Sequence, residues 1–201
     1  MHENPKCTRC ELHRTAHSVC VPSNQPTDCK LAIYLDHPNI IENRTNKQEG
    51  FAINFVRYCL QRANIPLNKV LIDWIVKCYP PKGKMPSIKA DRMTCVSRCS
   101  EYRIATLQDS GVKSIVVLGS LGNDAMIGRG RIGEMQGAEW PAFSPFIKSL
   151  VPHVWVGYSP LMLLEKASEA GSIYRVIVAA AEEAGLKPKT NYTLKPFNFN
   201  I

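Results

Sequence analysis

The run VLIDWIVKCYPPKGKMP, residues 70–86, constrains the fold more than any other stretch of the chain. Val70, Leu71, Ile72, Trp74, Ile75 and Val76 form a nearly continuous apolar segment of strand length, the pattern of a strand buried on both faces. Pro80 and Pro81 cannot continue a hydrogen-bonded ladder, so the chain leaves the sheet there. Cys78 is thereby delivered to a strand's carboxyl end, where open α/β sheets place their ligands.

The remaining segments alternate in the same sense. Strands are expected at 30–36 (KLAIYLD), 114–119 (SIVVLG) and 154–158, and helices at 50–63, 87–108, 120–127 and 172–184. Residues 43–49 read as polar and flexible, and 129–140 as a glycine- and arginine-rich excursion. Strands alternating with helices predict an α/β fold, a parallel sheet covered on both sides. The domain is expected over residues 1–186, with a cysteine-bearing lead-in at 1–29, followed by a basic and aromatic tail at 187–201.

With 201 residues and 45% hydrophobic content, one packed core is expected. The formal charge of +8 favours a polyanionic partner, nucleic acid first. No apolar run approaches the roughly 20 residues of a membrane span, and the N-terminus lacks an apolar signal region. These features predict a cytoplasmic protein with no membrane partner. Eight cysteines are too few for a disulfide scaffold in a chain of this length, and in a reducing compartment clustered cysteines point to metal or catalysis.

Cys7-Thr8-Arg9-Cys10 is a C-x2-C knuckle whose spacing lets both thiolates face one metal or cluster. With Cys78, and with Cys95 or Cys99 on the following helix, it completes a set of four soft ligands suited to zinc or an iron–sulfur cluster.

The order C-x2-C, long gap, V-K-C-x-P-P, then a cysteine about 17 residues on, resembles the family 4 uracil-DNA glycosylases. Cys10-Glu11-Leu12 with Arg14, Gly50-Phe51, Leu118-Gly119 followed by Ala125 and Gly128, Ile132 with Gly137, and residues 159–164 (SPLMLL) resemble further segments of that family. The similarity runs from about Cys7 to Gly185. It implies a three-layer αβα sandwich around a four-stranded parallel sheet. It also implies a 4Fe-4S cluster of mainly structural role on Cys7, Cys10, Cys78 and Cys95, with Cys99 in reserve.

Removing uracil from DNA requires a flipped base, an aromatic face to stack on, an amide for its edge and a group that positions water. By the resemblance, Phe51 stacks the base and Asp36 stands where the family has a water-activating glutamate. Trp74, with Asp73 beside it, occupies the place of a uracil-reading asparagine, although an indole offers no paired donor and acceptor. Ser159 replaces the family's histidine, and His37 is the nearest substitute imidazole. Leu161 and Met162 resemble the apolar wedge that fills the gap left by a flipped base. Lys77, Lys82, Lys84, Arg129 and Arg131 lie on loops expected at the same sheet edge, placed to contact phosphates.

Two functions follow from this resemblance. One is a divergent iron–sulfur glycosylase, a hydrolase acting on uracil or a related damaged base in DNA. The other is a catalytically inactive fold serving as a DNA-binding or replisome accessory protein, with the tail KPFNFNI docking a protein partner. Trp74 discriminates between them: an indole filling the base site favours the second, and an indole in the core leaves the first standing. A zinc-binding α/β protein of unrelated ancestry is the third reading.

Overall fold

The computed structural model describes residues 4–26, 28–108, 110–128, 131–151 and 153–189. Arg129 and the tail beyond Lys189 lie outside the described residues. Strands β1 (Leu31–Leu35), β2 (Val70–Trp74) and β3 (Ser114–Leu118) are buried at every position, as their unbroken apolar runs predict. The helices are α1 (Ile40–Thr45), α2 (Phe51–Arg62), α3 (Lys89–Arg98), α4 (Ser100–Gln108), α5 (Ser120–Met126), α6 (Ile132–Met135), α7 (Pro145–Leu150) and α8 (Ala170–Glu183). Two further strands, β4 (Glu139–Pro141) and β5 (His153–Gly157), complete a sheet of order β2-β1-β3-β5-β4.

The first four strands of that order are parallel, with Leu31 opposite both Val70 and Ser114. The sheet has five strands rather than four, because β4 adds an antiparallel edge, Trp140 opposite Val154. β4 falls inside the 129–140 excursion and has neither alternation nor an apolar run. It forms because Gly137 donates to the Val156 carbonyl at 2.8 Å and Val156 donates to that of Ala138 at 3.0 Å. Pro141 suits an edge, where its missing N–H costs nothing.

Successive strand residues face opposite layers. Leu31, Ile33, Leu35, Val70, Ile72, Trp74, Val116 and Leu118 join an apolar cluster with α2 and α8. Ala32, Tyr34, Leu71, Ile115, Val117, Val154 and Val156 join a second cluster containing Cys95, Val96 and Leu107 from α3 and α4. The αβα layering therefore agrees with the expectation from the alternating elements.

Two local departures matter for the site. The expected helix at 87–108 breaks in two at Cys99, which caps α3. The polar 43–49 segment is exposed at most positions but anchored at Asn43 and Gln48, which are buried. Asn39 accepts from Ile41 and Glu42, and Glu42 accepts from the Asn39 backbone N–H, forming a capping box at the start of α1. Glu42 also accepts from Gly50 N–H at 2.8 Å, and the Gln48 side chain donates to the Ile72 carbonyl at 2.8 Å. Asn43 accepts the backbone N–H of His17 at 2.9 Å, pinning the lead-in to α1.

Candidate functional site: a switch-point cleft and a gathered set of thiols

The strand order reverses between β1 and β3, and the crevice outside their carboxyl ends is the expected ligand site of an open parallel sheet. A cavity of about 380 Å³ opens there, lined by Asp36, His37, Met85, Arg92, Ser120, Leu121 and Asp124. Asp36 leaves β1 and accepts the backbone N–H groups of Leu121 at 2.9 Å and Gly122 at 3.4 Å. Gly119 supplies the turn that brings these amides close. Its φ is +127°, and a Cβ there would lie 2.4 Å from either Asp36 carboxylate oxygen.

Burial pushes the Asp36 carboxyl up to about 7, against the opposing pull of the Leu121, Gly122 and Ser120 amides. Nearby Asp124 raises it further. His37 is shifted down by burial, while its Nδ1 faces the Pro38 carbonyl at 2.8 Å. Since a carbonyl only accepts, Nδ1 carries the hydrogen and Nε2 is the acceptor of the neutral ring. A carboxyl poised near neutrality beside a neutral imidazole can take a proton from water. Arg92 reaches the same cleft and donates to the Pro86 carbonyl at 3.1 Å. Sequence reasoning missed Arg92, Ser120 and Asp124, since no motif marks them and only the meeting of the β1, β2 and β3 loops makes them neighbours.

The expected base-binding residues divide between the two layers. Phe51 packs against the cluster on the α2 side, to which Trp74 and Leu163 belong. Trp74 is 1% exposed and points into that core. Its Nε1 finds no hydrogen-bond partner among the described residues. Asp73 points to the opposite layer, is fully buried and pairs with Lys77. Ser159 accepts the Leu161 N–H at 3.4 Å and caps the 3-10 turn Pro160–Leu164. That is a structural use of its hydroxyl.

Among the cations expected to meet phosphate, Lys77 is corrected by the structure. Its side chain is 1% exposed and ion-paired with Asp73, because the chain turns inward at the end of β2. Lys82, Lys84 and Arg131 are exposed as expected. Arg129 lies outside the described residues. Leu161 is 40% exposed, Leu164 is 53% exposed and Met162 is half-buried.

The cysteines form the second feature. Cys95 lies within electrostatic reach of Cys10 and Cys99. Cys78 lies within electrostatic reach of Cys99, Cys10 and Cys20, and Cys99 within reach of Cys10 and Cys7. Cys78 accepts the backbone N–H of Cys20, and Cys99 that of Lys77. Both bonds favour the thiolate, although burial outweighs them and pushes Cys78 up to about 12. Cys95 is likewise pushed up to about 12. The lead-in is docked over the cysteines by Arg9, which pairs with Glu101 and stacks 5.1 Å from the Tyr102 ring centroid.

Cys7, Cys10, Cys20, Cys78, Cys95 and Cys99 are thus gathered from three distant stretches, whereas Cys59 sits in the opposite apolar cluster and Cys29 donates to the Leu31 carbonyl. No three His, Cys, Asp or Glu side chains among the described residues stand in metal-binding geometry. The fit to a thiolate-ligated group therefore rests on the donor set: soft ligands, two amides aimed at sulfur, and no disulfide among the described residues. Cys20 was not in the expected set; its place beside Cys78 depends on a left-handed turn at φ +59°. No protein-family model matches the chain.

Proposed function

We propose that this protein is an iron–sulfur DNA glycosylase-like hydrolase that binds DNA and cleaves the N-glycosidic bond of a flipped uracil or related damaged base. The observation that carries the reading is Asp36, a carboxyl held by backbone amides in the switch-point cleft and tuned to about 7. It is supported by the gathering of the cysteines that the resemblance names.

In this reading the carboxylate of Asp36 orients a water molecule toward C1′ of the flipped nucleotide. The water oxygen bonds to C1′, the C1′–N1 bond breaks, and the base departs with the bonding pair. Asp36 accepts the proton that the water loses. Phe51 gives the base an apolar face, and Leu161 and Met162 occupy the space it vacates. Lys82, Lys84 and Arg131 meet the phosphates. Cys7, Cys10 and Cys78, with Cys95 as the fourth ligand, would hold a 4Fe-4S cluster that ties the lead-in to the β2 exit. Thiols in this state require a reducing compartment such as the cytosol.

One observation favours the second reading, a DNA-binding or accessory protein without catalysis. β2 contributes no paired donor and acceptor: Trp74 lies in the core and Asp73 is taken by Lys77. The core position of Trp74 leaves the base site unblocked by its indole, which is why the enzyme reading is preferred.

The test is release of uracil from single- and double-stranded oligonucleotides by anaerobically purified protein, with Asp36→Ala alongside. Absorbance near ~400 nm, expected of a cysteine-ligated cluster, is recorded first. Abasic product lost in the Asp36 variant supports the hydrolase. Intact, DNA-binding protein that frees no base from a panel of damaged substrates leaves the accessory reading.

A further inference from the structure

We propose that Arg103 is the positioning and counter-charge residue of the gathered thiols. It clamps the two segments that carry Cys78 and Cys95 and supplies positive charge to the anionic centre those thiolates hold. The inference rests on the cluster reading above and extends it to a residue that no cysteine motif marks.

Arg103 lies on α4, one helical turn beyond Cys99, and is 6% exposed. Its Nη1 donates to the Ile75 carbonyl and its Nη2 to the Val96 carbonyl at 3.2 Å. Ile75 precedes Cys78 by one short stretch of chain, and Val96 directly follows Cys95. One planar fork therefore fixes the β2 exit against α3, and the ligands on both move together or not at all.

The charges around it do not balance. Asp73, a fully buried carboxylate of this layer, already pairs with Lys77. Among the described residues Arg103 has no carboxylate within ion-pair distance. Carbonyl oxygens satisfy its N–H groups without neutralising its charge, and a lone buried charge is expensive. Its electrostatic neighbours are Cys99, Tyr34 and Asp73. Lys77, in turn, lies within reach of Cys20. A set of thiolates around iron carries net negative charge, and a guanidinium beside it offsets both costs. Removing the cation makes the centre harder to reduce.

The experiment uses the full chain, purified anaerobically, as wild type, Arg103→Gln and Arg103→Lys. Iron and sulfide per chain, the visible spectrum, the reduction potential and the rate of bleaching under a chelator are measured for each. Arg103→Gln is expected to shift the potential to more negative values and to bleach several-fold faster. Arg103→Lys, which keeps the charge and loses the fork, is expected to hold the wild-type potential while bleaching faster. Arg103→Gln with full iron and an unchanged potential overturns the counter-charge role. Should the Gln variant not accumulate, wild-type bleaching in Arg103→Lys overturns the clamp. Wild-type protein that takes up no iron and sulfide overturns the cluster reading itself, and this inference with it.

Discussion

Asp36 Oδ1 accepts the backbone N–H of Leu121 at 2.9 Å, joining the residue that leaves β1 to the first turn of the helix that leaves β3. The bond holds a carboxyl in the crevice where the strand order reverses, and burial there lifts its ionisation to about 7. If Asp36 orients water, base release rises with pH toward about 7 and levels off above it. Asp36→Asn should fall by roughly 10²- to 10⁴-fold and lose that pH dependence. Stability moves the other way. The folded carboxyl holds its proton to higher pH than the unfolded one, so the stability it contributes at low pH is lost as pH rises from 3.8 through about 7. Asp36→Asn should therefore remove up to about 4 kcal/mol of the stability difference between acid and neutral pH, read from urea melts at each pH.

Gly50 is a steric keystone for the loop beside Phe51. A Cβ there would lie 2.0 Å from the Asn39 side-chain amide and 2.4 Å from Glu42 Oε1. Gly50→Ala should break the capping box and the Glu42 bond together, costing about 1 to 3 kcal/mol. Thermal unfolding measures it, and an unchanged melting temperature would show that α1 can shift away without loss.

In the proposed cluster Cys95 is the fourth ligand that the family resemblance implies, and it lies within electrostatic reach of Cys10. Serine at Cys7, Cys10, Cys78 or Cys95 should abolish iron uptake, while Cys59→Ser, in the opposite layer, should retain it. Cys99→Ser should retain iron with an altered visible spectrum, because Cys99 adjoins both Cys10 and Cys78. Loss of iron in Cys99→Ser and its retention in Cys95→Ser would reassign the ligand.

Lys77 and its loop neighbours Lys82 and Lys84 should behave differently. Lys82→Ala or Lys84→Ala should each lower the salt dependence of duplex binding by ~0.9 in the log–log slope, with little change in stability. Lys77→Met removes the ammonium paired with buried Asp73, and should cost about 3 to 5 kcal/mol in unfolding free energy. Fluorescence anisotropy across a salt series, paired with denaturant melts, separates the two behaviours.

The local patterning is where the sequence speaks most clearly. A strand buried on both faces must be apolar throughout, and 31–35, 70–74 and 114–118 are nearly so, which made β1, β2 and β3 legible. β4 was not legible, because Glu139-Trp140-Pro141 has no pattern of its own and takes its register from β5. The polar stretch from Asn43 to Glu49 misled for a related reason. Asn43 and Gln48 are buried because distant backbone groups, His17 N–H and the Ile72 carbonyl, satisfy them.

By itself, then, the sequence determined an alternating α/β chain, a sheet whose β2 ends at Cys78, and a carboxylate at the exit of β1. These follow from apolar periodicity and from prolines, which act over a few residues. Tertiary structure alone decided that Lys77 turns inward to Asp73, that Cys20 joins the expected thiols, that Arg92 and Asp124 face Asp36, and that Arg103 bridges Ile75 and Val96. Each depends on segments far apart in the chain meeting in a low-dielectric interior, where a charge or a polar group must find a partner or be excluded.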